Sequence, residues 1–189
     1  MRTEQIIIEL LSVIDTLLKE RPQATIAIDG RCASGKTTLA KALQRELDCS
    51  LVHMDHFYLQ PHQRTEQRFE HPGGNVDMER FSAEVLDYIL EGKSFSYQPF
   101  DCEVQDFSES IYVPANGIYI IEGVYSCLFA EHCILKIFMT VSEEQQLSRL
   151  KKRNPAILGR FQQEWIPMEE KYFEFFKVEQ LCDLVFSTG

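Results

Sequence analysis

The sequence predicts an α/β fold with a doubly wound, mostly parallel sheet of five strands and flanking helices, and three observations carry that prediction. Five short apolar runs recur along the chain: ATIAIDG (24–30), SLVHMD (50–55), GIYIIEG (117–123), LKIFMTV (135–141) and CDLVFST (182–188). Helical patterns separate several of them, the signature of strands that run parallel and cross over through helices. Runs such as GIYIIEG are apolar throughout rather than alternating, which suits strands covered on both faces.

Each element has its own reason. Ile7, Leu10, Leu11, Ile14 and Leu18 fall at helical spacing, so residues 1–20 read as a surface helix, closed by a break at Pro22. GKTTLAKALQREL combines that period with good helix formers. Residues 59–77 are polar and end in HPGGN, so they read as loop, whereas MERFSAEVLDYILEGK is a helix closed by Gly92. Within 94–116, FSYQPFD and SIYVPAN are two β-like runs that would pair as a small hairpin flap. Ser142 begins a further helix as its cap, with Gln145 completing a capping box and Lys151, Lys152 and Arg153 at its basic end. A break at NPAILG precedes an aromatic-rich helical stretch, 160–177. No repeat, low-complexity tract or linker divides the chain, so a single domain over 1–189 is expected, with 94–116 as flap and 153–161 as a short lid.

Bulk properties narrow the function. With 29 acidic against 19 basic residues, the net charge of −10 disfavours a general nucleic-acid binder. A small phosphorylated ligand stays open, because one basic pocket can oppose the global sign. The six cysteines form no CxxC pair and match no zinc framework. No secretory signal or membrane-length apolar run is seen, so reduced thiols in the cytoplasm and no membrane partner are expected. Trp165 and Tyr172, read as exposed aromatics, leave room for a homo-oligomer.

The most specific motif is GRCASGKT, 30–37, which satisfies GxxxxGK[ST] directly after a strand and opening a helix. Gly30 and Gly35 permit the tight path that turns successive N–H groups, from Arg31, Cys32, Ala33 and Ser34 through Thr38, toward phosphates. The helix adds its positive N-terminal end. Lys36 would reach the β- and γ-phosphates and the Thr37 hydroxyl would ligate Mg²⁺. This is a P-loop NTPase fold. The guanine-reading NKxD pattern is absent, which favours ATP.

MDHFY at 54–58, FEHPGGNVD at 69–77, IIEG at 120–123 and RLKKR…GRF at 149–161 follow in one order. With them the chain, from about Thr25 to Thr188, resembles the uridine kinase family within the uridine kinase and phosphoribulokinase group of P-loop kinases. MDHFY and FEHP carry most of the specificity, being similar to that family's D-x-F-Y and F-D-H-P. The resemblance implies Asp55 as catalytic base, Tyr58 as a substrate contact, and Glu70 in place of an Asp that accepts from ribose hydroxyls. Phe69 would pack on sugar or base. Arg64 and Arg68 stand beside the same loop. Glu122, ending a buried strand, would hold Mg²⁺ or its waters. Arg149, Lys152, Arg153 and Arg160 resemble a lid over the phosphates, with Arg153 and Arg160 offsetting charge in transfer; alternatively, they complement a helix C-terminus.

Three departures stand out. The flap region YQPFDCEVQD places Phe100 and Cys102 where the family has a pyrimidine-reading His, and a thiol is a poor substitute. RNPAILGR lacks the family's arginine-rich insertion. Asp29, before the loop, is more similar to cytidylate kinases. The expected function is transfer of the ATP γ-phosphoryl to a primary hydroxyl, foremost the 5′-hydroxyl of a uridine- or cytidine-like nucleoside. Another hydroxylated metabolite or a nucleoside monophosphate is the alternative acceptor. An ATP-binding regulatory module is the alternative of a different class. His56 has no role in this reading.

Overall fold

A computed structural model describes residues 3–19, 21 and 23–189. Among the described residues the strands follow in chain order as β1 (Ala24–Gly30), β2 (Ser50–His53), β3 (Phe95–Tyr97), β4 (Phe100–Asp101), β5 (Asp106–Phe107), β6 (Ile111–Val113), β7 (Ile118–Glu122), β8 (Leu135–Thr140) and β9 (Leu184–Ser187). Five of these form the central sheet in the order β2-β7-β1-β8-β9. Every ladder in it is parallel. The five strands are the five apolar runs, and the sheet is the one the sequence predicts.

The period of two along the strands feeds two cores on opposite faces. Ile26 and Ile28 of β1 and Ile120 of β7 join Leu39 and Leu43 of the helix Lys36–Leu47 on one face. Ala27, Tyr119 and Ile121 point the other way, onto Phe57, Phe81 and Phe138. The helix Thr3–Leu18 covers the first face, but through Ile6, Leu10 and Ile14, all fully buried. Ile7, Leu11 and Leu18 only border that core. The stripe is therefore rotated from the one read off the sequence, because i, i+4, i+8 fixes the seam more tightly than a broad apolar count. The expected break at Pro22 and both ends of the predicted 1–20 helix lie outside the described residues.

Strand β2 ends at His53, two residues earlier than expected, and Met54–Phe57 form a 3₁₀ turn. The stretch 59–77 is not loop throughout: Glu66–Glu70 is a short helix whose cap, Thr65, accepts from the Arg68 amide. A continuous helix over 78–90 follows, capped by Asp77 and π-wound across Ser82–Leu86. β3 pairs antiparallel with β6, and β4 with β5 beyond it. Ser142 caps the helix Glu143–Arg153 by accepting from the Gln145 amide, while the Gln145 side chain accepts from Arg149. No helix among the described residues is long and apolar enough to cross a membrane.

Candidate active site

The phosphate loop leaves β1 with Gly30 at φ 130°, Ala33 at 59° and Gly35 at 101°. A Cβ on Gly30 would sit 2.0 Å from the Met139 carbonyl oxygen, so β8 packs where a side chain would be. Around Gly35 there is open space, and glycine serves there only the left-handed backbone. Lys36 Nζ donates to the Gly30 and Arg31 carbonyls at 2.7 and 3.0 Å. Ser34 Oγ, buried within the loop, has no hydrogen-bond partner among the described residues. The Arg31, Cys32 and Ser34 amides, expected to face phosphates, are instead donated to the Met139 carbonyl, Glu169 and the Arg31 carbonyl. The lysine, the orphaned hydroxyl and the helix N-terminus beyond Gly35 are what fit a phosphate chain.

The loop floors a cavity of about 950 Å³ lined by residues 32–38, Asp55, Tyr58, Phe69, Cys102, Glu122, Arg153 and Arg160, among others. Thr37 Oγ1 donates to Glu122 Oε1 at 3.1 Å, and His53 Nδ1 lies 2.5 Å from the same oxygen. Burial pushes the Glu122 carboxyl up, but His53, Lys36 and Thr37 together outweigh burial and hold it below its ordinary value. A hydroxyl and an ionised carboxylate side by side are hard oxygen donors of the kind Mg²⁺ takes. Among the described residues no three His, Cys, Asp or Glu side chains gather as a metal cage. A Mg²⁺ held at Thr37 and Glu122 would complete its shell from water and phosphate.

Asp55 stands across the cavity on the 3₁₀ turn, where Tyr58 donates to its Oδ1 at 3.2 Å. Asp55 is an exposed residue at the cavity wall. Desolvation and the nearby Glu122 charge raise its pKa, while Lys36, Tyr58 and His53 partly offset them. The open mouth keeps that rise smaller than enclosure would give.

Other expected residues lie elsewhere. Arg68 faces away from the main cavity, paired with Glu79 at 2.8 Å and bonded to the Val76 carbonyl. Glu70 is exposed, does not line the cavity, and offers its carbonyl to Lys171. Phe100 is buried against Phe107 inside the hairpin, so of that pair only Cys102 reaches the cavity. The Arg31 side chain turns outward to grip Glu170 through Nε and Nη2, and its amide donates to the Met139 carbonyl at 3.0 Å, so neither is offered to the cavity as the sequence reading expected. Lys152 points to solvent, whereas Arg64 and Arg149 do line the cavity. Tyr172 is fully buried and donates to Asp29 Oδ2 at 2.8 Å, which removes it from any self-association surface. Trp165 is half-buried and faces the cavity. His56 bonds the Tyr97 hydroxyl at 3.0 Å, and burial, helped by His53, pushes its pKa down to about 4. It is a neutral strut between the turn and β3.

Four residues went unread. Asp29 entered the sequence reading only through its type; it is fully buried, raised by desolvation, and accepts from the Gly30 and Cys127 amides. His53 could have been suspected as a polar residue in a buried strand. Glu169 accepts from the Cys32 amide at 2.9 Å, and Arg149 and Thr188 brace the loop through the Ala33 and Ser34 carbonyls. Glu169 and Thr188 are more than a hundred positions from the loop, and no local pattern announces them.

Residues 26–166 match the model of the AAA domain family. No curated protein sequence matches the chain. A candidate uridine kinase from Bacillus stearothermophilus is similar in structure at 22% identity and TM-score 0.64, covering 94% of this chain and 99% of its own. A candidate fructose transport system kinase from Silicibacter superposes with TM-score 0.73 at 20% identity, over 98% of this chain and 99% of that one. The D-glycerate 3-kinase of Cryptococcus neoformans gives 0.57 at 8% identity, over 92% and 86%. At such identities the likeness establishes the fold alone, the P-loop NTPase fold that the loop motif already indicates. Matched across most of its length, the chain belongs to the AAA domain family.

Proposed function

We propose that the protein is an ATP-dependent phosphotransferase acting on a hydroxyl of a small molecule, foremost the primary hydroxyl of a uridine- or cytidine-like nucleoside. The observation that carries this reading is the convergence of Lys36, Glu122 and Asp55 on one cavity. The amides at the start of the helix after Gly35 and Lys36 hold the phosphates, with Lys36 exchanging two carbonyl partners for phosphate oxygens. Bound Mg²⁺ would neutralise charge on the phosphates from its place at Thr37 and Glu122. Asp55 accepts the acceptor's hydroxyl proton as the new O–P bond forms and the bond to the β-phosphate oxygen breaks. Its raised pKa brings it nearer the working pH, which suits a general base. Tyr58 keeps the carboxylate aimed, and Arg153 and Arg160 approach from the 153–161 segment as a lid.

The nucleoside is tested by assaying ATP-dependent phosphorylation of nucleosides, nucleoside monophosphates and sugars side by side. Turnover of uridine or cytidine above the other classes is expected. A second reading, another hydroxylated metabolite, is favoured by Cys102 lining the cavity with Glu103 and Gln105 where the resemblance expects a histidine. Sugar or hydroxy-acid turnover without nucleoside turnover would select it. ATP hydrolysis with silence across the panel would favour a regulatory module instead.

A further inference from the structure

Glu169 has no part in the chemistry above. It lies on the helix Ile166–Phe176, is 7% exposed and lines the cavity, and its Oε2 accepts the Cys32 amide at the third position of the phosphate loop. From the loop it bonds the Cys32 thiol and feels the charge of Lys36, and across the cavity, from the turn after β2, it interacts electrostatically with Asp55 and Tyr58. Tyr125 faces it from the segment after β7. On its own helix Glu170 is tied to Arg31 and Tyr172 to Asp29. Burial dominates its carboxyl and Asp55 adds to it; Lys36 and the Cys32 amide oppose them, and the outcome is a pKa raised to about 7.

A loop that fits phosphates thus carries a carboxylate in its wall. A triphosphate entering the cavity would set several negative charges against it, and like charges in a confined site disfavour joint ionisation. The side chain need not leave, because a proton on Oε1 removes the charge while Oε2 continues to accept from Cys32. We propose that Glu169 is a positioning residue that holds the Cys32 amide in both states and binds one proton from solvent when a nucleoside triphosphate fills the loop. This rests on the nucleotide reading of the cavity.

The test is calorimetric titration of the full chain with Mg-ATP at pH 8, in buffers of different ionisation enthalpy. Wild type should take up about one proton more than Glu169→Gln, and its affinity should weaken about tenfold relative to that variant from pH 6 to pH 8. Glu169→Ala, which lacks the acceptor, should bind more weakly than Glu169→Gln at every pH. Equal proton counts and equal pH slopes in wild type and Glu169→Gln would overturn proton uptake. Equal binding by the Ala and Gln variants would overturn positioning. Wild type alone suffices should the variants misfold, since binding at pH 8 with no proton uptake also overturns the proposal. Failure of wild type to bind Mg-ATP at any pH would remove the nucleotide reading and this inference together.

Discussion

His53 and Glu122 stand opposite one another in the β2–β7 ladder, and His53 Nδ1 meets Glu122 Oε1 at 2.5 Å. The ladder register, rather than a flexible loop, fixes this contact. The carboxylate that faces Thr37 is thereby held in one rotamer from the sheet side. His53→Ala should raise the Mg²⁺ concentration needed for half-maximal ATP binding by roughly 10- to 100-fold, the usual effect of losing a residue that orients a metal ligand. Titration of ATP binding against Mg²⁺ reads this directly.

Asp55→Asn keeps the shape of the site and removes the proton acceptor. Transfer should fall by about 10²- to 10⁴-fold, the range for a general base, with ATP affinity nearly unchanged. Wild-type turnover in this variant would end the assignment of Asp55 as base.

Gly30→Ala places a methyl against the Met139 carbonyl and in a backbone region that alanine avoids. The loop and β8 cannot both keep their places. A loss of at least ~2 kcal/mol, by overpacking together with backbone strain, should appear as a lowered urea midpoint.

Tyr172→Phe leaves the buried Asp29 carboxylate without one of its donors. Loss of that hydrogen bond should destabilise the protein by about 1–3 kcal/mol. Urea unfolding monitored by fluorescence measures it, and an unchanged midpoint would mean the Gly30 and Cys127 amides suffice.

The raised carboxyls set a pH dependence of stability. A carboxyl whose folded pKa lies above its unfolded one holds its proton more tightly when folded, so its stabilising share is complete below the unfolded value and is lost as pH rises through the folded one. For Glu169 the window runs from 4.5 to about 7. Its share should be about 3 kcal/mol, less whatever solvent reaches it through the cavity. Asp29 and Asp55 act in the same sense and Glu122 in the opposite one. Urea midpoints from pH 4.5 to 8 should fall less in Glu169→Gln than in wild type.

The strands and the phosphate loop were legible because each is encoded locally, by a run of apolar residues or a fixed glycine spacing. Asp55 and Glu122 were legible as carboxylates just beyond or at a strand end. Arg68 and Glu70 were not, because a five-residue helix set inside an apparently polar loop decides which way each side chain turns. Tyr172 was misread since the aromatic face of its helix has no polar marker for the buried Asp29. Glu169 shows the same limit: of two adjacent glutamates on one helix, one binds the Arg31 side chain and the other accepts the Cys32 amide inside the site.

Thr188 Oγ1 donates to the Ser34 carbonyl at 2.6 Å, and Arg149 grips the Thr188 hydroxyl and carbonyl at 3.0 Å. The loop is thus buttressed by the residue just beyond β9, at the rim of the sheet. Edge strands open at lower free energy than the centre of a sheet. Detachment of this one strand would slacken the nucleotide cradle while taking only Phe186 and Leu184 from one hydrophobic core and leaving the other intact. On warming, competence to bind nucleotide should therefore fail before the fold does.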